Sequence, residues 1–246
     1  MDLNGKVVVV AGATGVVGSG AVRAFLDAGA TVVATSRKAA SLDALAGTLN
    51  ILPNEPFLKV QADFSTEAAA AEAATAVTEA LAGRPIDHIV ANIGFIKTAD
   101  APTATSLATF RDAIEDGLFS NFLGAKALLP LVKERPGASY TMVSGGLAHF
   151  PPPMPGLWMA TVKNAAVNAL TYGLVSETAK SPVRVNCVCI HFGVAPVGEK
   201  KNQLGMPAEK DTLALGPAFV GVATGSKRGQ IVCLNTWADV AKLSAQ

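Results

Sequence analysis

Val7-Val8-Val9-Val10-Ala11-Gly12-Ala13-Thr14-Gly15-Val16-Val17-Gly18 is the stretch that decides the fold. Five apolar, mostly β-branched residues are too few for a buried helix and suit a strand covered on both faces. Glycines at 12, 15 and 18 then end the strand and leave the backbone unobstructed where a helical segment begins. At such a junction the chain turns tightly, approaches a pyrophosphate, and aims first-turn amides at it. The spacing is G-x-x-G-x-x-G, not G-x-G-x-x-G, and tight packing alone is the competing explanation. The strand-to-helix position favours a dinucleotide site formed by Gly12, Thr14, Gly15, Val16, Val17 and Gly18.

The rest of the chain repeats this alternation. Strand-like runs fall at 7–11, 31–35, 57–61, 88–91, 139–143, 183–190 and 230–234. Alanine-rich or amphipathic segments lie between them, among them 17–28, 66–81, 109–132 and 158–178. Repeated β-α units predict a Rossmann-like, doubly wound parallel sheet of about seven strands in a three-layer α/β/α domain. The 246 residues are expected to form this single domain. Half the residues are hydrophobic and 16% are charged, which suits a sheet buried on both sides.

A formal charge of +1, without a basic stripe, offers nothing to nucleic acid or an anionic membrane surface. No apolar run reaches the ~18 residues of a membrane span. The start lacks a signal-peptide pattern, so a cytoplasmic location is expected unless a targeting peptide was removed. Cys187, Cys189 and Cys233 read as small buried hydrophobes, and no spacing of metal-ligand type accompanies them, so no metal is expected.

Ligands of doubly wound sheets bind beyond the carboxyl ends of the strands. The second strand ends in Ser36 and Arg37. An acidic residue there would bind the ribose 2′-hydroxyl of NAD, whereas serine and arginine suit a 2′-phosphate, so NADP(H) is expected over NAD(H). Asp63, with Phe64, follows the third strand, where it can accept from the adenine amino group or serve a helix start. Asn92-Ile93-Gly94 follows the fourth. The proline-rich loop 148–156 and the polar segment 194–211 are expected to shape or cover a pocket.

This ordered set resembles the short-chain dehydrogenase/reductase family over nearly the whole chain. Gly12, Gly15 and Gly18 look like its glycine motif, Asp63 its adenine-contacting aspartate, and Asn92-Ile93-Gly94 its Asn-Ala-Gly. Asn121 falls on its helix-borne asparagine, Lys163 on its active-site lysine, and Val183-Arg184-Val185-Asn186 on its Arg-Val-Asn strand entry. The resemblance implies a homodimer or homotetramer paired through the two long helices.

The reaction side departs from the family. Its tyrosine of Tyr-x-x-x-Lys is Met159, and a thioether cannot transfer a proton. Its serine falls on Gly146, with Ser144 two residues earlier; its Pro-Gly after the sixth strand is Ile190-His191, and its carboxamide-contacting threonine is Ala195. Ile190 still passes beside the cofactor in this alignment. Candidate catalytic residues are therefore Asn121, Ser144, His149, Lys163 and His191, either histidine being chemically competent as an acid. Phe150, Met154, Trp158 and Met159 suggest an apolar pocket. Tyr140 and Tyr172 are expected to lie out of reach, and His88 at the far end of its strand.

Three functions stay open. One is an NADP(H)-dependent oxidoreductase acting on a carbonyl or activated double bond with an unusual proton source. Another is a non-redox biosynthetic step such as cyclisation, isomerisation or elimination. The third is a catalytically silent NADP(H)-binding protein. Fold alone does not choose among them.

Overall fold

The computed structural model describes residues 2–94 and 96–245. Its strands are β1 (Val7–Ala11), β2 (Thr31–Ser36), β3 (Phe57–Gln61), β4 (His88–Ala91), β5 (Ser139–Gly145), β6 (Arg184–Ile190) and β7 (Ile231–Leu234). They lie in the order β3-β2-β1-β4-β5-β6-β7 and pair in parallel throughout. The winding reverses between β1 and β4, which opens a crevice at their carboxyl ends. Every expected strand is present, and no boundary moves by more than two residues.

The valine run of β1 shows why the sheet is covered on both sides. Side chains alternate along a strand, so Val8 and Val10 enter one core while Val7, Val9 and Ala11 enter the other. The first core packs α1 (Val16–Asp27), α2 (Ala39–Thr48), α7 (Thr212–Thr224) and α8 (Trp237–Ser244) against the sheet. The second takes α3 (Glu67–Ala80), α5 (Ser120–Leu128) and α6 (Trp158–Glu177).

Glycines let α1 and α7 touch backbone to backbone. A Cβ on Gly20 would collide with the Thr212 carbonyl oxygen, and one on Gly216 with the Gly20 carbonyl oxygen. Gly216→Ala is therefore expected to cost about 1–3 kcal/mol of stability by overpacking. Urea unfolding reads this directly, and an unchanged midpoint would show that the helices can separate freely.

The helix expected at 109–132 begins earlier and is interrupted. Ser106 caps α4 (Leu107–Ile114) by accepting from the Thr109 amide, a π-helical turn occupies Glu115–Phe119, and α5 follows. A 3-10 turn at Leu129–Leu131 ends the run, where Pro130 has no N–H to continue it. The wider π turn makes room for a side chain from α6: a Cβ on Gly117 would lie 2.8 Å from Lys163 Cγ. No helix among the described residues is long and apolar enough to cross a membrane.

Candidate active site

Two adjoining cavities lie along the carboxyl edge of the sheet. The first, about 220 Å³, is bounded by Gly12, Thr14 and Gly15 at the glycine turn, and Ser36, Arg37, Asp63, Phe64 and Asn92-Ile93-Gly94 also line it. Gly12 has φ +74°, and a Cβ there would strike the Asn92 carbonyl oxygen. A Cβ on Gly18 would strike Gly12 O, so the turn is pressed against both β4 and its own helix. No side chain caps α1 and no acid occupies its first turn, which leaves the amides at Val16 and Val17 to an anion, while the Gly15 amide closes the turn on Gly12 O at 3.2 Å. The residues fit a dinucleotide: a bare backbone cradle beside an uncapped helix start.

Polar contacts order the rim. Thr14 Oγ1 and Ser36 Oγ stand 3.2 Å apart. Arg37 is largely exposed, with Nη1 3.9 Å from Asp116 Oδ1, while Lys97 Nζ holds Asp116 Oδ2 at 2.5 Å. The guanidinium is thus positioned by a loose ion pair that an incoming anion can displace. Asp63 spends its carboxylate on Ser65, accepting from the amide and from the hydroxyl at 3.0 Å each.

The second cavity, about 540 Å³, shares Gly15, Asn92 and Gly94 with the first and reaches Ser144, Lys163, Ile190 and His191. Its apolar wall comes from residues such as Ile96, Leu147, Phe150, Leu157 and Phe192, and Asn202, Gln203, Leu204 and Met206 bring segment 194–211 over it. Of the four apolar residues expected here, Phe150 alone is on the wall. Trp158 stacks on Phe110 and donates to Asp100 O; Met154 is exposed; Met159 is 3% exposed and packed away. The tyrosine position is occupied by a core residue.

The proton-bearing groups differ sharply in setting. Lys163 is half-buried on the cavity wall, and burial pulls its pKa down to about 8. His191 is lowered by burial and then by His149. His149 is outside the cavity wall, with Nε2 3.3 Å from Asn168 Nδ2. Ser144 donates to Asn168 Oδ1 at 2.6 Å and receives the Cys187 thiol at 3.3 Å. Asn121 lines neither cavity: fully buried, it donates from Nδ2 to Ile93 O at 2.9 Å and Gly117 O at 2.6 Å. It pins the end of β4 to the π turn.

The other titratable candidates are remote. His88 Nδ1 lies 2.9 Å from Ser139 Oγ at the amino end of the sheet, and burial lowers its pKa to about 4. Tyr140 is completely buried inside β5, which raises its pKa, and Tyr172 is exposed on α6.

Three site residues have no counterpart in the motif reading. Asp116 enters from the π turn, while Asn164 and Asn168 extend from α6. Two asparagines one helical turn apart on an otherwise apolar face are the signal that points to them. Asn164 lies so close to β5 that a Cβ on Gly145 would be 2.9 Å from its Nδ2. A similar fit explains the missing serine: a Cβ on Gly146 would be 2.8 Å from His191 Cγ.

A parallel sheet with this glycine turn, switch-point crevice and lysine-bearing pocket defines a dinucleotide-binding α/β protein. The chain belongs to the short chain dehydrogenase family, a family of oxidoreductases, whose model matches residues 6–203. The L-fucose dehydrogenase of Mus musculus is 30% identical over 186 residues, covering 75% of this chain and 64% of that protein. The chain thus spans less than two thirds of that relative's length. An NADPH-bound short chain oxidoreductase from Pseudomonas aeruginosa PAO1, containing an atypical catalytic center, superposes with a TM-score of 0.79. It is 22% identical, over 95% of this chain and 96% of that one. A 3-ketoacyl-(acyl-carrier-protein) reductase from Brucella melitensis complexed with NADH gives 0.78 at 22% identity, over 95% and 98%. These structures share the fold.

Proposed function

We propose that the chain is an NADP(H)-dependent reductase of a carbonyl or activated double bond in a small, largely apolar molecule, with Lys163 as its proton source. The observation that carries this reading is the half-buried Lys163 on the wall of the larger cavity, its pKa lowered by burial to about 8. A group titrating there is protonated at neutral pH and still gives up its proton readily. His191, on the same wall, is the second candidate acid.

The nicotinamide, when bound, supplies the hydride. Arg37 and Ser36 would meet the 2′-phosphate and the glycine turn and α1 would hold the pyrophosphate, while Asn121 keeps the end of β4 in place beneath them. Ser144 and the Asn164 amide face the cavity and can hydrogen-bond a substrate oxygen as charge develops on it. Ser144 does so by turning its hydroxyl away from Asn168. The apolar walls favour a hydrophobic substrate over the sugar named for the fucose dehydrogenases, since a sugar needs many more polar partners. Exposed Phe119 and Phe122, with Tyr172 on α6, support a homodimer or homotetramer paired through these helices.

Fluorescence titration with NADPH and NADH tests the cofactor half. Arg37→Ala is expected to weaken NADPH about tenfold to a hundredfold, as loss of a charge-assisted contact does, and to leave NADH unchanged. Absence of NADPH binding by the unaltered protein would sink the reading. Binding without turnover of any carbonyl or enone would favour the silent or non-redox alternatives.

A further inference from the structure

The carboxyl ends of β5, β6 and β7 gather four soft ligands. Cys189 on β6 and Cys233 on β7 are register partners, so their side chains leave the sheet on the same face. His191 follows β6 by one residue, and His149 follows the 3-10 turn Gly146–Ala148 after β5. One sulfur or ring nitrogen from each of the four lies within 4.8 Å of the other three. Cys189 Sγ is 3.3 Å from His191 Nε2. Zn–S and Zn–N bonds of ordinary length at a tetrahedral angle subtend an edge of about 3.6 Å, so the set needs little movement to close on an ion.

Charge and donor chemistry agree with the geometry. None of the three cysteines is in a disulfide. Two thiolates and two neutral imidazoles around Zn²⁺ sum to zero, the balance a half-buried site tolerates. Burial first, and the neighbouring Cys233 after it, hold the Cys189 thiol up at about 11, and a divalent cation supplies the field that releases its proton. The His191 imidazole, lowered by burial and by His149, keeps a lone pair free at neutral pH. Two sulfurs and two nitrogens in tetrahedral array select zinc among common divalent ions.

We propose that His149, Cys189, His191 and Cys233 form a tetrahedral Zn²⁺ site that ties the proline-rich loop after β5 to the ends of β6 and β7. Four protein ligands leave no open position, so the ion acts as a staple rather than as a Lewis acid. It fixes His191 and the neighbouring Phe150 on the cavity wall. The site does not depend on the cofactor, and a His191 bound to zinc leaves Lys163 as the acid. Sequence spacing does not reveal it, because the ligands converge only when three strands lie side by side.

The test uses the full chain, reduced, loaded with zinc chloride and desalted, with metal measured by atomic emission. About one zinc per chain is expected, with loss of zinc in Cys233→Ser and in His149→Ala. Zinc should raise the Tm of the unaltered protein and leave both variants unmoved. Cobalt in place of zinc should show thiolate charge-transfer and tetrahedral d–d absorption, both abolished by Cys233→Ser. His149 is exposed, so His149→Ala keeps the test valid should the cysteine variant fail to fold. The proposal is overturned by no zinc above background, by zinc retained at full affinity in His149→Ala, or by a Cys189–Cys233 disulfide that forms despite zinc.

Discussion

Lys163→Ala should lower kcat/KM for carbonyl reduction by about 10²–10⁴-fold, the contribution a positioned general acid makes. The pH profile distinguishes this from simple loss of packing. The reducing direction needs the ammonium form, so the unaltered protein should hold a plateau at low pH and lose activity as pH rises through about 8. Lys163→Ala should be slow throughout and lack that limb. Lys163→Arg keeps the charge with a pKa too high to release a proton, so it should be slow and lack the limb too. If the limb near 8 survives in Lys163→Ala, Lys163 is not the proton source.

The same ammonium has an effect on folding whose sign can be worked out. Its folded pKa, about 8, lies below the ordinary 10.5, so between those values the unfolded chain carries the extra proton. Stability therefore rises with pH across that window, and the cost of enclosing the charge is fully present below about 8.

Gly12→Ala carries the second large effect. With φ at +74° and the Asn92 carbonyl where a methyl would go, alanine is excluded by both conformation and space. About 1–2 kcal/mol of left-handed strain adds to about 1–3 kcal/mol of overpacking. The turn must also move away from β4, which carries the uncapped start of α1 with it. Urea unfolding should show the lost stability, and fluorescence titration should show NADPH binding reduced below detection even where the variant folds. Normal affinity in a folded Gly12→Ala would remove the glycine turn from the cofactor cradle.

What could be read from the chain and what could not divide along physical lines. The valine run of β1 announces its own strand because each residue is apolar whichever face it takes, and the glycines announce the turn because nothing else fits. The interruption at Glu115–Phe119 was not legible, since Gly117 yields to the Lys163 stem that approaches from a distant helix. Met159 marked the missing phenol, but its withdrawal into the core depends on how the 3-10 turn at Pro155–Leu157 delivers the chain into α6. Trp158 looked like pocket lining by proximity, and its indole is spent on Phe110 and Asp100 instead. The meeting of His149 with Cys233 is wholly a product of strand order.

A Cβ at 146 would lie 2.8 Å from His191 Cγ and 2.9 Å from its Cα, so a side chain there needs both the ring and the backbone of residue 191 to give way. Serine at 146 with histidine still at 191 collides with the ring. His191→Gly alone would empty the space of the ring and leave Ser144 and Asn164 to meet a substrate oxygen. Serine at 146 therefore requires the end of β6 to shift as well as a smaller residue at 191, so the turns that follow β5 and β6 constrain one another.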